Sequence, residues 1–213
     1  MASTSGDPHI FPLHGNMYEL PQSKGIYRLL QGDDLIINAS TRQIRENEKN
    51  SIVSFFNQKN LLTHETKDKL VNDGVFYHKL FISSEGCGFI YDFDNKKVYL
   101  NNRASKKYFN FTTHNVSGGV YENKYEKSDN VAQCCVSFQH TLYGSMTIDL
   151  NYFSNPQIKY GIGMKLPNNT QDLTGLLIRE YITSSMKVSC LCDESEKEGI
   201  VGENDKITSM VIS

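Results

Sequence analysis

The bond between Asp7 and Pro8 is the most reactive peptide linkage in the sequence. An aspartate carboxyl can attack its own carbonyl carbon, and the tertiary amide nitrogen of a proline is easily protonated and leaves readily. His9 follows directly and could donate that proton, because the pKa of an imidazole lies near neutral pH. The run from Gly6 to His9 therefore has the residue types that self-cleavage between residues 7 and 8 requires.

A structural interpretation explains the same residues without any reaction. Gly6 frees the backbone, Pro8 fixes φ, and the carboxylate of Asp7 can accept hydrogen bonds from neighbouring N–H groups of a turn. We favour the turn. We therefore expect the bond between Asp7 and Pro8 to remain intact at neutral pH.

Two further sets of residues could bind a metal ion. His9 and His14 could supply two imidazoles, but no third ligand is evident, and a two-histidine site is weak. The run Asp92-x-Asp94-Asn95 is similar to half of a calcium loop, although it lacks the glycine and the closing glutamate of an EF-hand. Because strand patterns flank it, we favour a hairpin turn. We expect neither a metal nor a cofactor.

The cysteines do not suggest a disulfide framework, because their number is odd and their spacing irregular. They are Cys87, Cys134, Cys135, Cys190 and Cys192. Adjacent cysteines in a strand point to opposite faces. The Cys190-x-Cys192 pair could ligate a metal or form a strained redox pair, but free thiols are the favoured interpretation. We expect all five to be free, as is typical of proteins made in a reducing compartment.

Composition and motifs exclude several classes of function. The 22 Lys and Arg against 24 Asp and Glu leave a net charge of -2, without the basic excess of nucleic-acid-binding proteins. No apolar run reaches the ~18 residues of a transmembrane helix. The short polar N-terminus does not have the pattern of a signal peptide. Signatures of serine hydrolases, P-loop enzymes and zinc proteases are absent, so we expect no enzyme.

The elements that must position these residues are predicted to be β-strands. Short apolar or alternating segments are separated by turn residues, a pattern that indicates a sandwich or barrel. Helical periodicity is weak and is confined to 50–57 and 63–72. The predicted strands are 25–30, 34–39, 76–82, 89–93, 97–100, 135–142, 146–153, 158–166 and 208–212.

The opening of the chain resembles a von Willebrand factor type D (VWD) domain. Such domains begin with Gly-Asp-Pro-His and reach Gly-x-x-Tyr a few residues later. The matching residues here are Gly6, Asp7, Pro8, His9, Gly15 and Tyr18. The resemblance implies an all-β fold with minor helix, an antiparallel VWD-like β-sandwich, and a role in assembly. It also implies Asp7, Pro8 and His9 as the catalytic residues if the chain cleaves itself, as several VWD-like proteins do.

The family pattern is incomplete further along the chain. In the family an equivalent of the 158–166 strand leads into Gly-Leu-Cys-Gly and then a calcium loop. Here Gly175-Leu176 is present, but Leu177 and Ile178 stand at the next two positions. The resemblance therefore supports neither the disulfides nor the calcium site of the family in this chain.

A cysteine-poor, asparagine-rich chain with this opening is also similar to proteins of large cytoplasmic DNA viruses. That resemblance implies a virion component made in the host cytoplasm, such as a minor capsid or capsid-associated protein. We expect a non-enzymatic structural protein that packs against other particle proteins, with homo-oligomerisation left open. The alternatives are an autoproteolytic module and a sandwich that binds a ligand or carbohydrate.

The predicted domain organisation has three parts. Residues 1–5 form a flexible N-terminus, 6–192 the VWD-like β-sandwich, and 193–213 a charged loop and C-terminal strand. We expect the segment from residue 6 to 18 to be an ordered part of the sheet, because burying each large apolar side chain contributes roughly 1.5–3 kcal/mol. The side chains expected to be buried there are Ile10, Phe11, Leu13, Met17 and Leu20.

Overall fold

The computed structural model describes residues 2–5, 9–19, 25–50, 74–94, 97–101, 103–114, 131–153, 159–167, 169–179, 200–201 and 207–208. Most of these residues lie in strands. In chain order the strands are β1 (Ala2–Ser5), β2 (His9–Phe11), β3 (Tyr18–Glu19), β4 (Gly25–Gly32), β5 (Leu35–Gln43), β6 (Val75–Ser84), β7 (Cys87–Asp92), β8 (Lys97–Leu100), β9 (Asn110–His114), β10 (Val131–His140), β11 (Gly144–Phe153), β12 (Lys159–Lys165), β13 (Ile200–Val201) and β14 (Ile207–Thr208).

Two antiparallel sheets form the body of the protein. The larger has seven strands in the order β3-β2-β1-β12-β11-β10-β9. The smaller is a five-stranded meander in the order β4-β5-β6-β7-β8. The three hairpins predicted from turn residues, β4–β5, β7–β8 and β10–β11, are all present. The predicted all-β antiparallel fold with minor helix is confirmed.

The inner faces of the two sheets meet in one apolar core. Along β11, Met146, Ile148 and Leu150 are buried, whereas Thr147 and Asp149 alternate with them and face water. This period of two is typical of a strand with one wet face, as the sequence predicts. The core cluster joins side chains of both sheets, including Ala2, Ile10, Val136, Ile148, Ile162, Leu29, Ile37, Leu80, Phe89 and Tyr91. The architecture is therefore a β-sandwich.

Strand β1 differs from the predicted flexible N-terminus at 1–5. It lies inside the seven-stranded sheet, paired with β12 on one side and β2 on the other. Ala2 and Thr4 are buried, and the Thr4 hydroxyl shares a hydrogen bond with the Tyr77 hydroxyl of the opposite sheet. Two backbone ladders order a segment whose own side chains carry little apolar area.

The outer face of the five-stranded sheet carries a second, smaller buried cluster. Phe81 and Ile90 pair across β6 and β7 and pack with Tyr99. Next to them Lys79 of β6 is directly opposite Asp92 of β7, and both are buried. Oppositely charged residues at facing positions stabilise a sheet.

The helices and the C-terminal region are less completely described. Residues 46–50 are helical, so this helix begins earlier than the predicted 50–57, and Arg103–Tyr108 form another. The predicted helix 63–72 lies outside the described residues, as does most of the predicted loop at 193–205. Within that loop Ile200–Val201 pairs with Ile207–Thr208, close to the predicted terminal strand.

Candidate functional site

The motif segment forms an edge hairpin of the seven-stranded sheet. β2 begins at His9, Tyr18 lies in β3, and Gly15 lies in the connection between them. Gly15 has a φ of 103°, a conformation that residues with a Cβ rarely adopt. The structure thus brings three of the predicted motif residues into one hairpin. The other three lie outside the described residues: Gly6, Asp7 and Pro8.

This hairpin is anchored to the segment 173–178. The Tyr18 hydroxyl donates a 2.7 Å hydrogen bond to the Leu176 carbonyl. The backbone N–H groups of Leu13 and His14 donate to the carbonyls of Leu177 and Ile178, at 2.8 and 3.0 Å. Tyr18 and the Gly-Leu pair at 175–176, far apart in sequence, therefore belong to one structural unit.

The same segment also forms backbone hydrogen bonds with β4, the edge strand of the five-stranded sheet. Leu177 N–H donates to the Leu29 carbonyl at 3.0 Å, and Gln31 and Thr174 exchange two hydrogen bonds of 2.8 Å. Leu29 is an extra residue in β4, because the register shifts between its neighbours. Segment 173–178 therefore joins the edge of one sheet to the motif hairpin of the other.

Two apolar side chains of the hairpin face solvent. Ile10 is opposite Tyr18; Phe11 ends β2, and Met17 directly precedes β3. Phe11 is 42% exposed and Met17 53% exposed, so their predicted burial is wrong. Ile10 is fully buried and Leu13 packs against the core, as expected. Alternation explains the difference, because a buried Ile10 points its neighbour Phe11 outward.

The intact state of the bond between Asp7 and Pro8 is directly measurable. We expect the purified protein to keep its full mass after incubation at pH 5 and pH 7, because the turn interpretation involves no reaction. Asp7→Asn should lower the free energy of unfolding by no more than a lost cap, ~0.5–2 kcal/mol. Intact-mass spectrometry that finds residues 1–7 lost in the wild type and retained in Asp7→Ala would contradict this prediction.

A second polar site lies at the C-terminal end of β5, where the chain leads into the helix at 46–50. We call it the Arg42 cluster; its members are Arg42, Arg45, Glu48, His78 and Asp94. The Arg42 side chain is only 8% exposed and lies between two carboxylates. It donates to Asp94 at 2.7 and 2.9 Å and to Glu48 at 2.7 and 2.8 Å. Such two-pronged pairs are the strong form of the arginine–carboxylate interaction.

The cluster joins elements that are distant in sequence. Arg42 belongs to β5, Asp94 to the β7–β8 turn, and Glu48 to the helix at 46–50. Glu48 also accepts a 2.7 Å hydrogen bond from the backbone N–H of Arg45, as in a capping box. Arg45 in turn donates to Asp94 at 2.7 Å. The start of the helix is thereby fastened to the β7–β8 turn.

His78 enters the cluster through a β-bulge. Ser40 pairs with Lys79 and Thr41 with Tyr77, which leaves His78 as the extra residue of β6. A bulge redirects a side chain, and here the imidazole Nε2 lies 3.5 Å from an Asp94 oxygen. Burial lowers the pKa of His78 and outweighs the nearby carboxylates, which act to raise it.

The charges around Asp94 favour its ionised form. Burial alone would raise the pKa of Asp94, but the hydrogen bonds and charge of Arg42, with His78 and Arg45, hold it below its ordinary value. Potential ligand atoms of His78, Asp92 and Asp94 lie within 4.8 Å of one another. Because arginines engage both oxygens of Asp94, we interpret this group as an ion-pair network. Asp92 ends β7 and Phe93 and Asp94 lie in the predicted turn, whereas Asn95 lies outside the described residues.

A third set of polar residues connects the β6–β7 turn of one sheet to the β10–β11 turn of the other. Glu85, in the β6–β7 turn, accepts hydrogen bonds from the Thr141 N–H at 3.0 Å and the Tyr108 hydroxyl at 2.9 Å. The hydrogen bond from Thr141 lowers the pKa of Glu85. Burial raises the pKa of Tyr108 to about 12. Tyr108 therefore stays protonated at neutral pH, as a structural donor must.

The cysteines that the structure describes are free. Cys87 is buried and Cys135 half-buried, and burial raises the pKa of both thiols, that of Cys135 to about 11. The thiolate is the nucleophilic form of cysteine, so the raised pKa values disfavour reaction of both thiols at neutral pH. The side chains of Cys134, Cys190 and Cys192 lie outside the described residues, and their free state stays a prediction.

Neither the family models nor the curated proteins to which we compared the chain give a match. The resemblance to VWD domains therefore stays a prediction that depends on the motif residues. In the part of the chain that the structure describes, no helix has the length and apolar character to cross a membrane.

Sequence reasoning identified the motif residues and expected their segment to be ordered, but it predicted neither the hairpin that they form nor the Arg42 cluster. Arg42 ends a strand, and a lone arginine there is usually solvated. The sequence signal that could have indicated it is the pairing of Arg45 with Glu48 three residues later, at the start of a helix. No local pattern indicates that Asp94, 52 residues from Arg42, lies beside it.

Proposed function

We propose that this protein is a non-enzymatic interaction protein whose motif hairpin packs against other proteins of a particle or assembly. The observation that carries the proposal is the exposure of two large apolar side chains of that hairpin, Phe11 at the end of β2 and Met17 directly before β3. Phenylalanine and methionine are enriched at the centres of protein interfaces. In the described residues, Leu142 is the one other exposed large apolar side chain.

The contacts that anchor the hairpin to the rest of the protein favour an interface over an incidental exposure of Phe11 and Met17. Hydrogen bonds from Leu13, His14 and Tyr18 anchor the hairpin to segment 173–178. Buried Ile10 fixes its inner face in the core. A contact surface that is already rigid loses little conformational entropy on binding, which improves affinity. The hairpin thus presents two apolar groups in a fixed position.

The kind of particle in which this interaction occurs is proposed from the sequence. A cysteine-poor chain with the VWD-like opening is similar to virion proteins of large DNA viruses. We propose that the chain is such a component, capsid-associated and made in the host cytoplasm. The described free thiols of Cys87 and Cys135 support synthesis in a reducing compartment.

Site-specific photo-crosslinking tests the proposed interface. A photo-reactive phenylalanine analogue is placed at Phe11, Met17 or Leu142, and crosslinked products from assembled particles are identified by mass spectrometry. We expect positions 11 and 17 to capture the same protein and position 142 not to capture it. Leu142 is the matched control, because its side chain is 57% exposed and lies in the β10–β11 turn.

The products also distinguish the kinds of partner. Capture of a second copy of this chain by positions 11 and 17 would identify a homo-oligomer interface. Capture of another particle protein would identify a mixed assembly. If position 142 captures the same protein equally well, or if positions 11 and 17 capture nothing in the assembled particle, the proposed interface is wrong.

A further inference from the structure

We propose that the Arg42 cluster is an acid-released latch, in which protonation of His78 separates the helix at 46–50 from the β7–β8 turn. The latch holds these two elements through named contacts. Arg42 binds Glu48 of the helix and Asp94 of the turn at once, and Arg45, which directly precedes the helix, adds a second bond to Asp94. Release therefore requires one small set of ion pairs to separate.

The described charges that face His78 are balanced when its imidazole is neutral. The positive groups are Arg42 and Lys79, and the negative groups are Asp92 and Asp94. A protonated His78 would be a third cation at a site where the side chains of Arg42 and Asp94 are 8% and 6% exposed. An excess charge is costly in such a place, because water cannot screen it well.

Asp94 compensates a protonated His78 only in part, because burial outweighs its attraction. Its Oδ1 already accepts from Arg42, and its Oδ2 accepts from both Arg42 and Arg45. His78 lies 3.5 Å from Oδ2, beyond a strong hydrogen bond. The two arginines thus occupy the carboxylate that would otherwise stabilise an imidazolium. Opening the latch exposes His78 to water, where protonation is not opposed.

The direction of the pH effect follows from the lowered pKa of His78 in the closed latch. An open latch restores the ordinary pKa of about 6.5, so the open form binds more protons than the closed form below that pH. The closed form is fully favoured above pH 6.5 and loses stability as the pH falls towards the lowered pKa. One bound proton raises the opening equilibrium by up to about tenfold per pH unit in this window.

Hydrogen exchange on the full chain tests the latch. We compare amide exchange at pH 7.5 and pH 5.5 by mass spectrometry, corrected for the effect of pH on intrinsic exchange. Wild-type peptides from 42–50 and 89–94 should exchange at least several-fold faster at pH 5.5, whereas β11 should not change. His78→Gln should remove this difference. His14→Gln, which replaces an exposed histidine of the hairpin, should retain it.

Two results would overturn the proposal. One is a wild type in which neither peptide exchanges faster at pH 5.5, and the other is a His78→Gln protein that opens as the wild type does. If His78→Gln fails to fold, an NMR titration of the wild-type imidazole replaces it. Protonation of His78 should then have the same midpoint as the faster exchange of 42–50. Protonation without faster exchange would also refute the latch.

Discussion

Replacing Arg42 by methionine should lower the free energy of unfolding by about 3–5 kcal/mol, the typical effect of removing one partner from a buried ion pair. Methionine keeps much of the side-chain volume but leaves Glu48 and Asp94 without their shared cation. Asp94 is the more deeply buried of these carboxylates, with 6% of its side chain exposed. For a chain of this length each kcal/mol lowers the melting temperature by roughly 2–4 °C.

Arg45→Met is the matched control, because it makes the same change at the other arginine of the cluster. Its side chain is 53% exposed, so its ion pair with Asp94 is screened by solvent and should contribute at most ~1 kcal/mol. Urea unfolding followed by circular dichroism measures both variants. Equal losses in the two would mean that burial does not decide the strength of this network.

Substituting alanine for Gly175 should lower the free energy of unfolding by on the order of 3 kcal/mol. Two effects act together, because Gly175 has a φ of 116° and a Cβ there would lie 2.6 Å from the Leu29 carbonyl oxygen. Alanine is strained where φ is positive, and overpacking by a single methyl typically costs 1–3 kcal/mol. The atom that would have to move is backbone held in β4, so the strain cannot be relieved by a rotamer change.

Gly86→Ala separates the two effects. Gly86 also has a positive φ, of 75°, but a Cβ at that position would have no neighbour within 4 Å. It should therefore show the backbone effect alone, about 1 kcal/mol. Thermal unfolding of both variants, monitored by far-UV circular dichroism, gives the comparison. A loss for Gly175→Ala no larger than that for Gly86→Ala would show that segment 173–178 does not pack closely against β4.

The strand-and-turn order from β4 to β8 and from β10 to β12 is predictable from the sequence. Along β11 apolar and polar residues alternate, and that period of two defines a strand with a wet face without reference to other strands. The β4–β5 and β10–β11 hairpins follow from glycine and short polar turns between such strands. These features are local, because each depends on residues within about ten positions of one another. Gly15 and Tyr18 were likewise identified from local spacing, although the hairpin that contains them was not predicted.

The location of β1 was decided by tertiary structure. Its residues, Ala2 to Ser5, are small or polar and have no periodic apolar pattern that predicts a strand. They form one because β2 and β12 offer unpaired backbone on both sides. The exposure of Phe11 depends in the same way on which face of β2 meets the core. A pattern of apolar residues alone does not distinguish a buried side chain from one at an interface.

The sequence by itself determined the fold class and most of the longer strands, because backbone geometry and side-chain period act over short distances. Tertiary structure alone decided the Arg42 cluster. The bulge that redirects His78 depends on the register between β5 and β6, and Asp94 reaches Arg42 only after three strands have paired. Ion pairs depend on distance in space, and the burial that lowers the pKa of His78 exists only once the sheets and helix have packed.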